Sequence, residues 1–223
     1  MIEIDIDIET LGEPFNLTLF EEDQQQEVIE KRKAAACRTR SRIQARRANS
    51  EAVLSEILPS IIEDGDAWHI LSSGDVDSLS YLAHLLKSTR MDYVMFSTWC
   101  MAMEDVKQLG EWLSKNMIGR VDAYLGEIFP NQYADEYDAL CATLRAHGGR
   151  VAIFRNHSKI FLCKAGTRTW VIESSANINT NPRTENTVIT ANMDLFQSHL
   201  NYFNGIRSFN RNFDDWTPYG QPA

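Results

Sequence analysis

Hydrophobic and polar positions change their rhythm twice along this chain. Residues 1–10 alternate strictly: Ile2, Ile4, Ile6 and Ile8 fall on one face of a predicted strand, with acids on the other. Gly12, Glu13 and Pro14 interrupt it, and Phe15 to Phe20 predicts a second strand, so residues 1–23 read as an acidic strand pair. From about Asp23 the composition turns to Gln, Ala, Arg and Glu without Gly or Pro, which predicts a helical arm over 24–64. Val28, Ala35 and Ile43 give the first part of that arm only a thin apolar stripe. Asn49 or Ser50 is placed to cap a second helix carrying Leu54, Ile57, Leu58, Ile61 and Ile62, with Pro59 marking a kink or a break.

Beyond Gly65 strands and helices alternate. Trp68 to Ser72, Tyr93 to Thr98 and Val121 to Ile128 are strand-like, and each is followed by a helical pattern. Asp75 or Asp77 caps the first of these helices, Val106, Leu109 and Leu113 mark the second, and Tyr137, Leu140 and Leu144 mark the third. Four short strands then crowd together, from Val151, Lys159, Thr169 and Thr187, before a last helix with Phe196, Leu200 and Phe203. This order predicts an α/β layered domain with a mixed sheet flanked by helices over 65–209. Residues 210–223 form a polar tail punctuated by Phe213, Trp216 and Tyr219.

Composition narrows the class of protein. With 223 residues, 43% hydrophobic and 24% charged, the chain has ordinary globular usage and enough length for a core plus an appendage. Neither an apolar run of membrane-spanning length nor a secretory leader pattern is visible, which predicts no stable membrane association. Cys37, Cys100, Cys141 and Cys163 are scattered without a C-x-x-C pair, so free thiols in a reducing cytoplasm are expected.

The net charge of −9 is unevenly laid out. Residues 1–30 hold ten acids and no Lys or Arg, whereas 31–47 hold eight bases and no acid: Lys31, Arg32, Lys33, Arg38, Arg40, Arg42, Arg46 and Arg47. Such a block suits phosphate-backbone binding, and equally a solvated helix answered by the acidic N-terminus.

The candidate chemistry lies at predicted strand ends. His157 and Lys159 sit between two strands, Ser175 and Asn177 follow another, and Glu185 comes shortly after. In extended backbone residues i and i+2 share a face, which pairs His157 with Lys159 and Ser175 with Asn177. A nucleophile or acid/base, a cation, two neutral hydrogen-bonding groups and a carboxylate together suit phosphodiester chemistry without a metal or other cofactor. Each motif alone is weak, and the ordered set is far more specific.

That set resembles the signature of the phospholipase D superfamily, H-x-K-x4-D followed by G-S-x-N and a later Glu. The resemblance covers roughly 65–209. Two positions depart from the pattern: Lys164 stands at the aspartate position and Ser174 at the glycine. The resemblance implies that His157 attacks phosphorus to form a phosphohistidine. Lys159 and Asn177 would hold the non-bridging oxygens, Ser175 would order the site, and Glu185 would fix an imidazole tautomer. It also implies a second histidine to protonate the leaving oxygen. The chain holds one motif, so a complete site implies a homodimer. Single-motif members are mostly nucleases, which with the basic stretch points to nucleic acid, DNA rather than RNA, as the partner.

Other residues have plainer readings. His69 and His84 suit core or rim positions, His147 the end of a helix, and His199 the buried face of the last helix. Trp99, Trp112 and Trp170 offer rings that can stack on bases, with core packing the ordinary reading for most of them. Three rival functions stand beside the nuclease: an inactive nucleic-acid-binding module of the same fold, a lipid phosphodiesterase, and an assembly protein acting through residues 1–64.

Overall fold

A computed structural model describes residues 42–178, 183–209 and 217–220. The strand pair expected over 1–23 lies outside the described residues, as does the stretch carrying Lys31, Arg32, Lys33, Arg38 and Arg40. The elements run α1 (Arg42–Ile57), β1 (Ala67–Ser72), α2 (Ser78–Leu86), β2 (Met91–Thr98), α3 (Met103–Ser114), β3 (Ile118–Gly126), α4 (Phe129–Gln132), α5 (Ala134–Arg145), β4 (Val151–Phe154), β5 (Ile160–Ala165), β6 (Arg168–Ser174), β7 (Glu185–Thr190) and α6 (Met193–Asn204).

The seven strands form one mixed sheet in the order β1-β7-β6-β5-β2-β3-β4. The β2–β3 and β3–β4 pairs are parallel, and every other pair is antiparallel. Two apolar layers cover it, as the layered α/β pattern predicted. Alternation along β2 shows how: Val94 and Phe96 face a core shared with α1, α2, α3 and α5, while Tyr93 and Met95 face α6. On that second face Phe196, Leu200 and Phe203 of α6 pack over Leu162, Val171 and Tyr124.

Local chemistry sets the helix starts. The Asp77 carboxylate accepts the Ser80 N–H at 2.8 Å and caps α2, whose nine residues are all buried. Asn192 caps α6 in the same way, accepting from Leu195 N–H at 2.8 Å. The expected cap at Asn49 or Ser50 is not used, because α1 runs straight through both residues. The Ser50 hydroxyl instead lies between the Arg46 carbonyl of its own helix at 3.1 Å and the Asp75 carbonyl, outside it, at 2.7 Å. The helix ends before Pro59.

The described part of the 24–64 segment is not a detached arm. Leu54, Leu58 and Ile62 are buried in the same core as α2 and α3. Arg47 joins them: it is 8% exposed, with its guanidinium 2.5 Å from Asp105 and 3.6 Å from Asp77. A bridge of this kind carries a large desolvation cost, so it ties α1 to the starts of α2 and α3 rather than leaving a cation for solvent.

A second buried charge lies under the α6 face. Asp122 is fully buried, accepts from Tyr93 Oη at 3.0 Å and Arg150 N–H at 3.1 Å, and pairs with Arg120 at 3.1 Å. Arg120 in turn donates to the Thr217 carbonyl at 2.9 Å, and Tyr219 stacks on Tyr93 with centroids 3.8 Å apart. Among the described residues no helix is long and apolar enough to cross a membrane.

Candidate active site

The carboxyl ends of the parallel strands β2, β3 and β4 share one edge of the sheet with the start of β5, the end of β6 and the start of β7. In open α/β sheets that edge is where ligands bind. It gathers all five residues singled out in the sequence.

The connection from β4 to β5 is built on Asn156, a buried residue that sequence reasoning passed over. Its Nδ2 donates toward Ser97 Oγ at 2.9 Å, the Tyr124 carbonyl at 3.1 Å and the Thr98 carbonyl at 3.2 Å. Its Oδ1 accepts from Ser158 N–H at 2.9 Å and Ser158 Oγ at 2.7 Å. One amide thus pins the turn to the ends of β2 and β3. The only sequence signal was an Asn directly before the His at a strand end.

The turn sends His157 outward to solvent and Lys159 inward, where it is 9% exposed. The Lys159 ammonium donates to the His157 carbonyl at 2.7 Å and lies 3.0 Å from Nδ1 and 3.3 Å from Nε2 of the same imidazole. Burial lowers the Lys159 ammonium below the usual lysine range, against the opposing pull of Cys100 and Glu185. The Trp99 ring stands 5.8 Å from the His157 ring, centroid to centroid. It lies over Gly126, where a Cβ would come within 2.6 Å of Trp99 Cδ1.

Asn177 is tied to the same strand end. Its Oδ1 accepts from Trp99 N–H at 3.3 Å and faces Thr98 Oγ1 at 3.5 Å. Ser175 is exposed, and its hydroxyl donates to the Glu185 carboxylate while accepting from Asn186 N–H at 3.0 Å. The Glu185 carboxylate thus holds Ser175, and its charge acts on Lys159. His199 Nε2 lies 3.2 Å from Glu173 Oε1, an imidazole–carboxylate pair.

Neither departure from the phospholipase D pattern obstructs this edge. The Ser174 hydroxyl bonds Thr187 Oγ1 at 2.8 Å and accepts from Ala176 N–H at 3.1 Å, closing a local turn. Lys164 lies near the far end of β5 from Lys159, with its ammonium 5.7 Å from the Tyr219 ring centroid.

The basic stretch is only partly described. Arg42 opens α1, and Arg46 donates to the Gly74 carbonyl at 3.2 Å. Arg47 does not belong to a phosphate-binding surface, because it is buried against Asp105 and Asp77. Of the remaining histidines, His69 is exposed, while His84 is buried with Nε2 2.9 Å from the Pro59 carbonyl. His147 Nδ1 lies 3.0 Å from the Thr143 carbonyl near the end of α5. His199 is half-buried rather than buried, on the wall of a groove of about 460 Å³ that reaches from His157 to α6. Trp112 and Trp170 are core residues, and Trp99 alone of the three is exposed. Among the described residues no group of three or more His, Cys, Asp or Glu is placed to hold a metal ion.

No protein-family model matches the sequence, and no curated protein matches it. Among the solved structures that resemble the fold, two illustrate the extent of the likeness. One is a polyphosphate kinase from Porphyromonas gingivalis, 17% identical, with 66% of this chain aligned to 27% of that one at a TM-score of 0.46. The other is a phosphatidylserine synthase from Haemophilus influenzae Rd KW20, 13% identical, with 62% of this chain aligned to 37% of that one at a TM-score of 0.46. The aligned region spans well under half of either protein. Neither likeness decides the chemistry, which rests on the residues at the sheet edge.

Proposed function

We propose that this chain is a phospholipase D-like phosphodiesterase, a metal-independent nuclease that cleaves DNA through a phosphohistidine on His157 and completes its site as a homodimer. The observation that carries this reading is the contact between Lys159 and His157 at the carboxyl edge of the sheet, with Asn177 tied to the same strand end. A neutral imidazole nitrogen attacks phosphorus, and the bond to the leaving oxygen breaks. The Lys159 ammonium and the Asn177 amide sit where non-bridging oxygens gain charge, which is where fixed donors contribute most. The proton for the leaving oxygen comes from the partner subunit's His157. Water then attacks the phosphohistidine, the same partner group accepts its proton, and the P–N bond breaks.

Ser175 and Glu185 act one step back, setting the charge felt by Lys159. The inactive-module reading drew its strength from Lys164 and Ser174, and the placement of both away from any obstructing contact favours catalysis over it. The test is cleavage of single-stranded and plasmid DNA in excess EDTA by the parent chain and by His157→Ala. The expected result is cleavage that survives the chelator and vanishes in the variant. Equal cleavage by both proteins, or none by either, would count against the proposal.

A further inference from the structure

The groove between the β4–β5 turn and α6 is continuous with the candidate site, since His157 and Asn156 line both. Its size, about 460 Å³, is that of an ordinary ligand pocket. Apolar surface from Phe154 and Phe203 combines there with Arg155, His199 and Tyr202. Arg155 is exposed and makes no hydrogen bond or ion pair with any described residue. Tyr202 is 68% exposed, its ring held edge-on against Phe203 at 5.4 Å. The His199 imidazole is fixed between the Leu195 carbonyl at 3.0 Å and Glu173 at 3.2 Å. A cation without a partner among the described residues and an open aromatic face, both adjoining the histidine proposed to attack phosphorus, suit a ligand with a further phosphate and a flat ring.

We infer that this groove is the subsite for the nucleotide flanking the scissile phosphate, with its base stacked on Tyr202 and its phosphate on Arg155, and that it selects single-stranded nucleic acid. This rests on the phosphodiesterase reading and adds to it the form of the substrate. Trp99, outside the groove and 36% exposed beside His157, offers a second face for the next base. In a duplex each base face is covered by its neighbours, so exposed rings gain nothing there, whereas an unpaired strand offers both faces. The mixed polar wall of the groove suits a nucleotide better than an acyl chain.

The test is binding, read apart from chemistry. The full chain carrying His157→Ala is titrated with a fluorescently labelled single strand and with its duplex, at several salt concentrations. Adding Tyr202→Ala should weaken single-strand binding about tenfold, the size of one lost base stack, and leave duplex binding unchanged. Tyr202→Phe keeps the ring and should bind as its parent does. Adding Arg155→Ala should lower the slope of log K against log salt by about one, as for one lost phosphate contact. Single-strand binding unaffected by either added substitution, or loss of single-strand and duplex binding in equal measure, would overturn the inference. Hydrolysis of bis(p-nitrophenyl) phosphate by the chain with its native His157 reports on the phosphodiesterase reading alone, because that substrate carries no nucleotide.

Discussion

Lys159 reaches both nitrogens of the His157 imidazole, at 3.0 Å and 3.3 Å, from a position only two residues along the chain. Lys159 also donates to the His157 carbonyl at 2.7 Å, so the pair closes within the turn that Asn156 anchors to β2 and β3. A cation is thereby kept against the ring that would carry the phosphoryl group. Its burial lowers its affinity for the proton, so the charged form costs the fold stability at neutral pH.

That conflict gives the first prediction. Lys159→Met should lower turnover of a simple phosphodiester by about 10²–10³, the effect of removing one donor aimed at developing charge. It should also raise the melting temperature, by about 2–4 °C for each kcal/mol of desolvation relieved. Calorimetry beside the activity assay reads both. A variant both less active and less stable would contradict this placement of the lysine.

Asn156 should matter to fold and site together. Asn156→Ala leaves the Ser158 N–H and the Tyr124 and Thr98 carbonyls without their shared partner. A loss of about 1–3 kcal/mol per buried group left unpaired is expected in urea titration, with activity lost because the turn no longer sets His157. Full activity in Asn156→Ala would contradict its role as the anchor.

Gly126 is required by a neighbour, not by its own backbone angles. An added Cβ would press on Trp99 Cδ1 at 2.6 Å and approach the Asn156 carbonyl at 3.2 Å. Gly126→Ala should therefore displace the Trp99 ring, which fluorescence of the folded protein would report as a changed emission maximum. An unchanged spectrum would show that the ring does not rest on this glycine.

Asp122 supplies the pH prediction. Burial raises its carboxyl above the usual carboxylate range, against the pull of Arg120. The folded chain then takes up that proton at a higher pH than the unfolded chain, so between those two pH values acidification adds stability relative to a residue that cannot titrate. Asp122→Asn should destabilise the fold at neutral pH, because an amide offers Arg120 no opposite charge and leaves one oxygen for the Tyr93 hydroxyl and the Arg150 N–H, and the gap to the parent should widen on acidification toward the ordinary carboxylate range. Urea titrations at the two pH values measure it, and a gap that narrows on acidification would contradict the assignment.

Much of the fold was legible because its periodicities are local. The switch to alternating strands and helices after Gly65 is written in Leu79, Leu82, Val94 and Phe96, whose spacings need no knowledge of distant residues. The nearness of His157 and Lys159 was legible from their spacing, although they meet across a turn and not on one face of an extended strand, His157 lying outward and Lys159 inward. What escaped depends on partners far along the chain. Arg47 read as a surface base because its answering carboxylate, Asp105, lies 58 residues away. Ser50 read as a cap because the Asp75 carbonyl that satisfies it comes from the connection between β1 and α2. The groove needs α6 laid beside the β4–β5 turn, and no local pattern announces that His199 and Tyr202 will line one cavity with His157. Asn156 was missed because its importance lies in three contacts to two other strands.

The central claim is that a phosphoryl group passes through His157. The direct measurement is to mix the protein with single-stranded DNA labelled on each end in turn, quench rapidly in denaturant at alkaline pH, and look for label on the polypeptide. The account predicts an acid-labile adduct with one of the two labels, mapped to His157 and absent from His157→Ala. Turnover by the parent without any adduct, or an adduct that persists in His157→Ala, would contradict it.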